Sequence, residues 1–150
     1  MVKVLFVCWG NICRSPMAEF VMKELVREAG REKDFYIESA AVSREEIHGG
    51  IGNPVYPPAR RKLAEHGISC EGKRARQITK ADYEDFDLLV AMDQANVRGI
   101  ERICGRGDKT RLLMAFAGEA REVADPWYTG DFEATWQDVL AGCKGMLAAL

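Results

Sequence analysis

The sequence predicts an α/β fold, namely a four-stranded parallel sheet flanked by helices on both faces in a flavodoxin- or Rossmann-like arrangement. Four short apolar segments alternate with helical patterns, which is typical of parallel sheets with right-handed crossovers. The first segment, Val2–Val7, is apolar on both faces except at Lys3, as in a strand that is covered on both sides. No repeat or linker-like tract interrupts the 150 residues. We therefore expect residues 1–150 to form a single domain.

The other three predicted strands follow at intervals that leave room for helices. They are roughly Phe35–Val42, Asp87–Met92 and the short segment Arg111–Met114. In such sheets a ligand lies at the carboxyl ends of the strands. Cys8, Asp93 and the loop after the fourth strand are expected at that edge. The glycine-rich segment Ser43–Pro54 is predicted to be a loop that reaches the same rim.

Helix boundaries follow from capping residues and prolines. The first helix is predicted over Pro16–Ala29, with Ser15 as its cap, Pro16 at its first position and Gly30 after its end. Met17, Val21 and Leu25 supply its apolar stripe. The remaining predicted helices begin at Pro57/Pro58 and close at His66–Gly67, then cover Lys80–Glu84, Gln94–Cys104 and Phe132–Leu150.

Composition excludes several classes of function. With 21 basic and 23 acidic residues the net charge is -2, which argues against a whole-surface nucleic-acid or anionic-membrane binder. No apolar run approaches the length of a membrane span. The five cysteines are odd in number, form no C-x-x-C pair, and accompany only two distant histidines, so neither a disulfide framework nor a zinc site is expected. We expect a cytoplasmic chain without metal or cofactor.

The segment between the first strand and the first helix is predicted to bind an anion. It reads Val7-Cys8-Trp9-Gly10-Asn11-Ile12-Cys13-Arg14-Ser15-Pro16. Gly10 and Asn11 both tolerate positive φ, so the chain can turn sharply and direct successive N–H groups inward. The helix N-terminus and the Arg14 guanidinium add positive charge at the same point. This field favours the thiolate of Cys8, with Ser15 as a hydrogen-bond donor to it.

The less specific interpretation of this segment is a buried strand that ends in an inert cysteine, with Arg14 in a surface ion pair. The Gly-Asn turn and the Ser-Pro helix start favour the anion cradle. Asp125, followed by Pro126, Trp127 and Tyr128, could supply an acid that protonates a leaving oxygen and then activates water. A turn aspartate before proline is the alternative.

These residues resemble the low-molecular-weight protein tyrosine phosphatase family, and the resemblance covers essentially the whole chain. Besides the cysteine loop, it includes Glu38-Ser39-Ala40, Glu65-His66-Gly67-Ile68, Arg74-Ala75-Arg76-Gln77, Asp87 with Ala91-Met92-Asp93, and Asp125-Pro126. It implies the fold of phosphotyrosine protein phosphatase I, a metal-free reaction and a covalent cysteinyl-phosphate intermediate.

Residue by residue, the resemblance implies that Cys8 is the nucleophile, Arg14 the phosphate clamp and Asp125 the general acid and base. Ser15 would stabilise the leaving thiolate.

Asn11 would hold the loop in its strained form, supported by Ser39 and His66; without the resemblance, His66 is interpreted as a helix-end histidine. Cys13 resembles a redox partner that forms a reversible disulfide with Cys8.

The mouth of the expected site departs from the family pattern. Trp9 replaces a smaller residue, and Glu45 stands where many members place an aromatic side chain that covers the substrate ring, while Trp127 and Tyr128 remain. Substrate contacts are expected from Trp9, Gly10, Asn11, Ile12, Cys13, Ser15, Glu45, Trp127 and Tyr128. The basic stretch Lys73–Arg76 is interpreted as solvated or structurally paired rather than as a docking patch.

The resemblance implies phosphotyrosine-containing proteins as substrates, inorganic phosphate as product, and a monomer. Three alternatives stay open. A protein-arginine phosphatase of the same family would carry threonine in place of Ile12. A thiol-dependent arsenate reductase needs additional resolving cysteines, and Cys70 has no close partner in the sequence. The third alternative is a catalytically inactive phosphate-binding module, against which the intact set of Cys8, Arg14 and Asp125 argues.

Overall fold

The computed structural model describes residues 1–150, and its centre is a four-stranded parallel sheet. In chain order the strands are β1 (Val2–Cys8), β2 (Phe35–Ala41), β3 (Ile47–His48), β4 (Ile51–Gly52), β5 (Leu88–Ala91) and β6 (Thr110–Leu112). The order in the four-stranded sheet is β2-β1-β5-β6, and every pairing in it is parallel. The predicted α/β class with its four-stranded parallel sheet is confirmed.

Six α-helices connect and cover the strands. They are α1 (Arg14–Glu28), α2 (Pro57–Glu65), α3 (Lys80–Asp85), α4 (Gln94–Cys104), α5 (Pro126–Thr129) and α6 (Phe132–Ala149), with 3₁₀ turns at Glu32–Asp34 and Leu113–Ala117. The bounds predicted for α4 are confirmed. The helix begins at Gln94 because Asp93 caps it, with Asp93 Oδ1 accepting a hydrogen bond from the Asn96 N–H at 2.8 Å. No helix combines the length and the apolar character that crossing a membrane requires.

Alternation along β1 explains why helices cover both faces of the sheet. Its side chains point to opposite faces in turn. Val4, Phe6 and Cys8 pack in the larger apolar core with α1, α2 and α6, whereas Leu5 and Val7 pack in a second core with residues of α4. From Val4 onward the whole strand is buried. The predicted covering of both faces is therefore confirmed.

The carboxyl ends of the central strands meet at one edge. Cys8 at the end of β1 lies opposite Ala41 at the end of β2, and Val7 lies opposite Ala91 at the end of β5. The segments that leave these three strands therefore begin side by side, at the edge where parallel sheets bind ligands.

The fourth sheet strand is shorter than predicted. β6 ends at Leu112, and Leu113 and Met114 begin a 3₁₀ turn that is buried under α6. Two glycines of α6 permit this close packing, since a Cβ at Gly142 would lie 2.5 Å from Leu113 Cγ and one at Gly145 would lie 1.9 Å from Phe116 O. Leu113 and Met114, which the sequence pattern assigned to the strand, thus form part of the contact with α6.

The segment Ser43–Pro54, predicted to be a loop, contains a small antiparallel hairpin. Ile47 pairs with Gly52, and His48 pairs with Ile51. The two-residue turn is Gly49-Gly50, with φ of 58° and 78°, as a type I′ turn requires. The prediction of an irregular loop was wrong here, and the Gly-Gly pair was the signal for the hairpin.

Candidate active site

The segment that follows β1 lines a small cavity at the carboxyl edge of the sheet, with a volume of about 90 Å³. Its walls are formed by Cys8, Trp9, Gly10, Ile12, Cys13, Arg14, Glu45, Glu46, Asp125, Trp127 and Tyr128. All of these except Glu46 are residues that the sequence nominated. Asn11, Ser15 and Ser39 lie buried beside them, whereas His66 lies elsewhere.

Asn11 makes the sharp turn of the loop. It is the one residue other than glycine with a positive φ, 61°, and its amide is fixed from three sides. Its Nδ2 donates to Ser15 Oγ at 2.8 Å and to Ser39 Oγ at 2.9 Å, and its Oδ1 accepts from the Arg76 N–H at 3.2 Å. Gly10 does not adopt the positive φ that we expected of it. Glycine is favoured at this position because a side chain would be crowded: a Cβ there would lie 3.2 Å from Glu46 Cγ.

Ser15 directs its hydroxyl at the thiol of Cys8. The two atoms Oγ and Sγ lie 3.0 Å apart. Because Ser15 Oγ already accepts from Asn11, its own hydrogen is available for the sulfur. The Asn11 N–H also points at Sγ, at 3.3 Å. The prediction that Ser15 caps the first helix was wrong, because α1 begins earlier, at Arg14.

A buried ion pair that the sequence did not reveal supports this chain of hydrogen bonds. Ser39 Oγ donates to Glu19 Oε1 at 2.5 Å, and Lys73 Nζ lies 3.6 Å from the same oxygen and donates to Ser39 O at 2.8 Å. Glu19 and Lys73 are only 5% and 12% exposed. Burial lowers the pKa of Lys73, and the charge of Glu19 opposes that shift. The feature of the sequence that could have indicated this ion pair is the carboxylate of Glu19 on the buried face of α1.

Three hydrogen-bond acceptors fix the Arg14 guanidinium in the cavity wall. Its Nη1 donates to Asp93 Oδ2 at 2.9 Å and to Val123 O at 2.8 Å, while Nη2 lies 3.4 Å from Asp125 Oδ2. Burial of the side chain opposes its charge, yet the negative charges of Cys8, Asp125 and Asp93 leave the pKa of Arg14 raised. The guanidinium therefore stays cationic although it is only 3% exposed.

Asp125 stands at the start of α5 and lines the same cavity as Cys8. Its Oδ1 accepts from the Trp127 N–H at 3.1 Å, which leaves Oδ2 beside Arg14. The following proline occupies the first position of the helix, where its missing N–H costs nothing. The short helix fixes the direction of the carboxyl group.

Three aromatic side chains line the cavity and are exposed at its mouth. Trp9, Trp127 and Tyr128 are 41%, 55% and 85% exposed. Tyr56, which the sequence did not single out, supports Trp127 with a ring-centroid distance of 4.9 Å. Together these rings make an apolar entrance to the cavity.

His66 does not support the loop, so that prediction was wrong. Its ring stacks on Trp136 of α6 with centroids 3.8 Å apart and planes 5° from parallel. The residue ends α2, as the helix-end interpretation stated, and α2 packs against both α1 and α6. Lys73 and Arg76 occupy the places next to Ser39 and Asn11 instead. The interpretation of the basic stretch as structurally paired is right for these two residues.

The second cysteine of the loop is Cys13, and it is the only other cysteine that lines the cavity. Burial, with the neighbouring charge of Cys8, raises the pKa of its thiol. Disulfide formation with Cys8 stays a prediction. No group of three or more His, Cys, Asp or Glu side chains is arranged to hold a metal ion.

Comparison with known proteins places the chain among phosphatases. The family model described as low molecular weight phosphotyrosine protein phosphatase matches residues 3–150. The low molecular weight protein-tyrosine-phosphatase YfkJ of Bacillus subtilis (strain 168) is 37% identical over 156 aligned positions, which cover 100% of this chain and 96% of the relative. Its crystal structure superposes with a TM-score of 0.92, covering 99% of this chain and 94% of that one.

Two further crystal structures are similar over nearly the whole chain. The low molecular weight protein tyrosine phosphatase of Streptococcus pyogenes is 41% identical with a TM-score of 0.87, covering 100% of this chain and 93% of that one. A drosophila arginine phosphatase is 30% identical, also with a TM-score of 0.87, covering 99% and 97%. The chain belongs to the low molecular weight phosphotyrosine protein phosphatase family.

Proposed function

We propose that the chain hydrolyses phosphotyrosine in proteins, and aryl phosphate monoesters in general, through a cysteinyl-phosphate on Cys8. The observation that carries the proposal is the sulfur of Cys8 at the base of the cavity, 3.0 Å from the Ser15 hydroxyl, with the Arg14 guanidinium in the same wall. Membership of the family supports the reaction class. The substrates are then phosphoproteins, and inorganic phosphate is released.

Binding of the phosphate dianion uses the positive groups around the loop. Arg14 offers a planar pair of N–H donors that matches two phosphate oxygens. The N-terminus of α1, which begins at Arg14, adds unpaired N–H groups and the positive end of the helix dipole. These donors stabilise the transition state more strongly than the ground state if they fit the spread of charge over the equatorial oxygens.

In the first step the thiolate of Cys8 attacks phosphorus in line with the phenolic oxygen. The S–P bond forms as the P–O bond to the aryl group breaks, and Asp125 gives its proton to the leaving oxygen. The Trp127 N–H holds Asp125 Oδ1 at 3.1 Å, which fixes the direction of the carboxyl group that acts as the acid.

In the second step Asp125, now ionised, accepts a proton from water, and the resulting oxygen attacks phosphorus. The P–S bond breaks, inorganic phosphate forms, and the electron pair returns to the sulfur of Cys8. The Ser15 hydroxyl and the Asn11 N–H stabilise the thiolate as it leaves, because both point at Sγ.

Phosphate release from a phosphotyrosine peptide, measured with a metal chelator present, tests the proposal. We expect turnover. Release from a phosphoarginine peptide alone would favour the arginine phosphatase, a function that one structural relative carries in its name. Ile12 argues against it, since this apolar side chain in the cavity wall offers no polar partner to a guanidinium. Peptide binding without turnover would indicate the inactive binding module.

Replacing Asp125 by asparagine is expected to lower kcat for a phosphotyrosine peptide by roughly 10²–10⁴, the usual contribution of a positioned acid. The loss should be much smaller for an aryl phosphate whose phenol is strongly acidic, because that leaving group needs no proton. Asp108→Asn, an exposed position remote from the cavity, is the matched control. Equal losses on both substrates would contradict the role of acid.

Replacing Lys73 by methionine is expected to lower kcat/KM by about tenfold, which corresponds to about 1.4 kcal/mol. The change removes the buried cation beside Glu19, which keeps only the exposed Lys23 at 2.6 Å, and it removes the bond to the Ser39 carbonyl. The hydrogen-bond chain that runs through Ser39 to Asn11 is therefore weakened. Lys73→Arg should retain more activity. Lys144→Met, an exposed change on α6, is the control. An unaltered rate in Lys73→Met, with thermal unfolding also unaltered, would contradict this role.

We further propose that residues 1–150 act as a single domain and as a monomer in the cytoplasm, on the composition and cysteine usage described above. The sheet and its two apolar cores support the first part.

A further inference from the structure

Two glutamates face the cavity from the loop that leads into β3. Glu45 is exposed and Glu46 is half-buried, and both line the cavity together with Asp125. Neither has a Lys, Arg or His nitrogen within 4.0 Å of its carboxylate. The Glu46 carboxylate accepts a hydrogen bond only from a neutral donor, Asn53 Nδ2, at 3.2 Å. The mouth therefore carries negative charge that no neighbouring side chain neutralises.

This charge is unusual for a site that must admit a phosphate dianion. The one cation in the wall is Arg14, which is buried and already paired with Asp93 and Asp125. Carboxylates at the entrance repel an acidic substrate segment and attract a basic one. A cation brought by the substrate would relieve the repulsion between Glu45 and Glu46 as well as that between each glutamate and the phosphate.

The aromatic residues at the mouth favour the same kind of partner. Trp9, Trp127 and Tyr128 are substantially exposed, and no cation of the chain lies over any of their rings. Tryptophan and tyrosine faces attract cations, and the planar guanidinium of arginine both stacks on rings and binds carboxylates in a bidentate manner.

We propose that Glu45 and Glu46 make this enzyme selective for phosphotyrosine flanked by basic residues, arginine above lysine, over phosphotyrosine flanked by acidic residues. The inference rests on the proposed phosphotyrosine hydrolysis and names the substrate class within it. The glutamates determine specificity here and take no part in bond making or breaking.

The test compares four peptides that differ only in the residues immediately before and after phosphotyrosine: both Arg, both Lys, both Gln or both Glu. We expect kcat/KM to be about tenfold higher for the Arg peptide than for the Glu peptide, as a few exposed charge pairs of modest strength would give. The ratio should shrink in about 1 M salt, where the Debye length falls to about 3 Å.

The double variant Glu45→Gln/Glu46→Gln should bring the Arg-to-Glu ratio to within about twofold, since each lost charge pair contributes a modest amount. The control Glu28→Gln/Glu71→Gln removes the same charge at two exposed positions away from the cavity and should keep the wild-type ratio.

Equal kcat/KM for all four peptides, or a wild-type ratio retained in the Glu45/Glu46 variant, would overturn the inference and leave the proposed phosphatase activity standing. Failure of the wild type to hydrolyse any of the four peptides would instead overturn the proposed function itself.

Discussion

Replacement of Cys8 by serine is expected to reduce turnover of a phosphotyrosine peptide by at least about 10⁴-fold, as loss of a nucleophile does in other covalent enzymes. A serine hydroxyl is a far weaker nucleophile than a cysteine sulfur, so it cannot attack phosphorus at a useful rate. Arg14, Ser15 and the loop keep their contacts in this variant. Inorganic phosphate should therefore still bind.

Acid quenching followed by mass measurement distinguishes a covalent role for Cys8 from a structural one. The wild type should carry a phosphoryl group on Cys8 during turnover, and Cys8→Ser should carry none. Cys104→Ser is the control, because its Sγ only donates to Thr79 O at 3.5 Å and serine can make the same bond. Activity of Cys8→Ser within tenfold of the wild type would refute the covalent mechanism.

Replacement of Arg14 by lysine is expected to lower kcat/KM by about 10³-fold, in the range found when a transition-state arginine is removed. Lysine keeps the positive charge but loses the planar pair of donors. Its single ammonium can take the place of Nη1, which binds Asp93 and the Val123 carbonyl at 2.9 and 2.8 Å, or of Nη2 beside Asp125, but not of both nitrogens. Both kcat and phosphate affinity should fall.

The control for Arg14→Lys is Arg98→Lys, an exposed change on α4. Thermal unfolding of both variants separates lost stability from lost catalysis, since removing one partner of a buried pair is itself destabilising. A folded Arg14→Lys variant with near wild-type phosphate affinity and kcat would show that charge alone, rather than the geometry of the guanidinium, serves the reaction.

Local signals were sufficient to predict most of the architecture. The covered strand predicted over Val2–Val7 and the helix predicted over Gln94–Cys104 have strong patterns, and the structure has them at Val2–Cys8 and Gln94–Cys104. Errors arose where tertiary packing overrides local pattern. Leu113 and Met114 look like strand residues, but they turn under α6 because Gly142 and Gly145 let the backbones approach.

The loop chemistry was predictable because it is contiguous in the sequence, from Cys8 to Ser15. Its supports were not, because they come from distant segments. Glu19 and Lys73 meet beside Ser39 only after α1 and β2 have packed. His66 was assigned to that place on resemblance alone, and no local pattern shows that it stacks on Trp136 instead.

The nucleophile Cys8 and the exposed residues at the cavity mouth, such as Glu45 and Tyr128, lie on parts of the fold that differ in their tolerance of substitution. Cys8 ends a strand buried in both cores, so any substitution that shifts it disturbs the whole domain. Glu45 is exposed on the loop before β3 and Tyr128 on the four-residue helix α5, and exposed substitutions of this kind usually cost little stability. Selection can therefore redirect this chain toward new phosphoproteins by altering its rim, while the reaction itself is inherited unchanged.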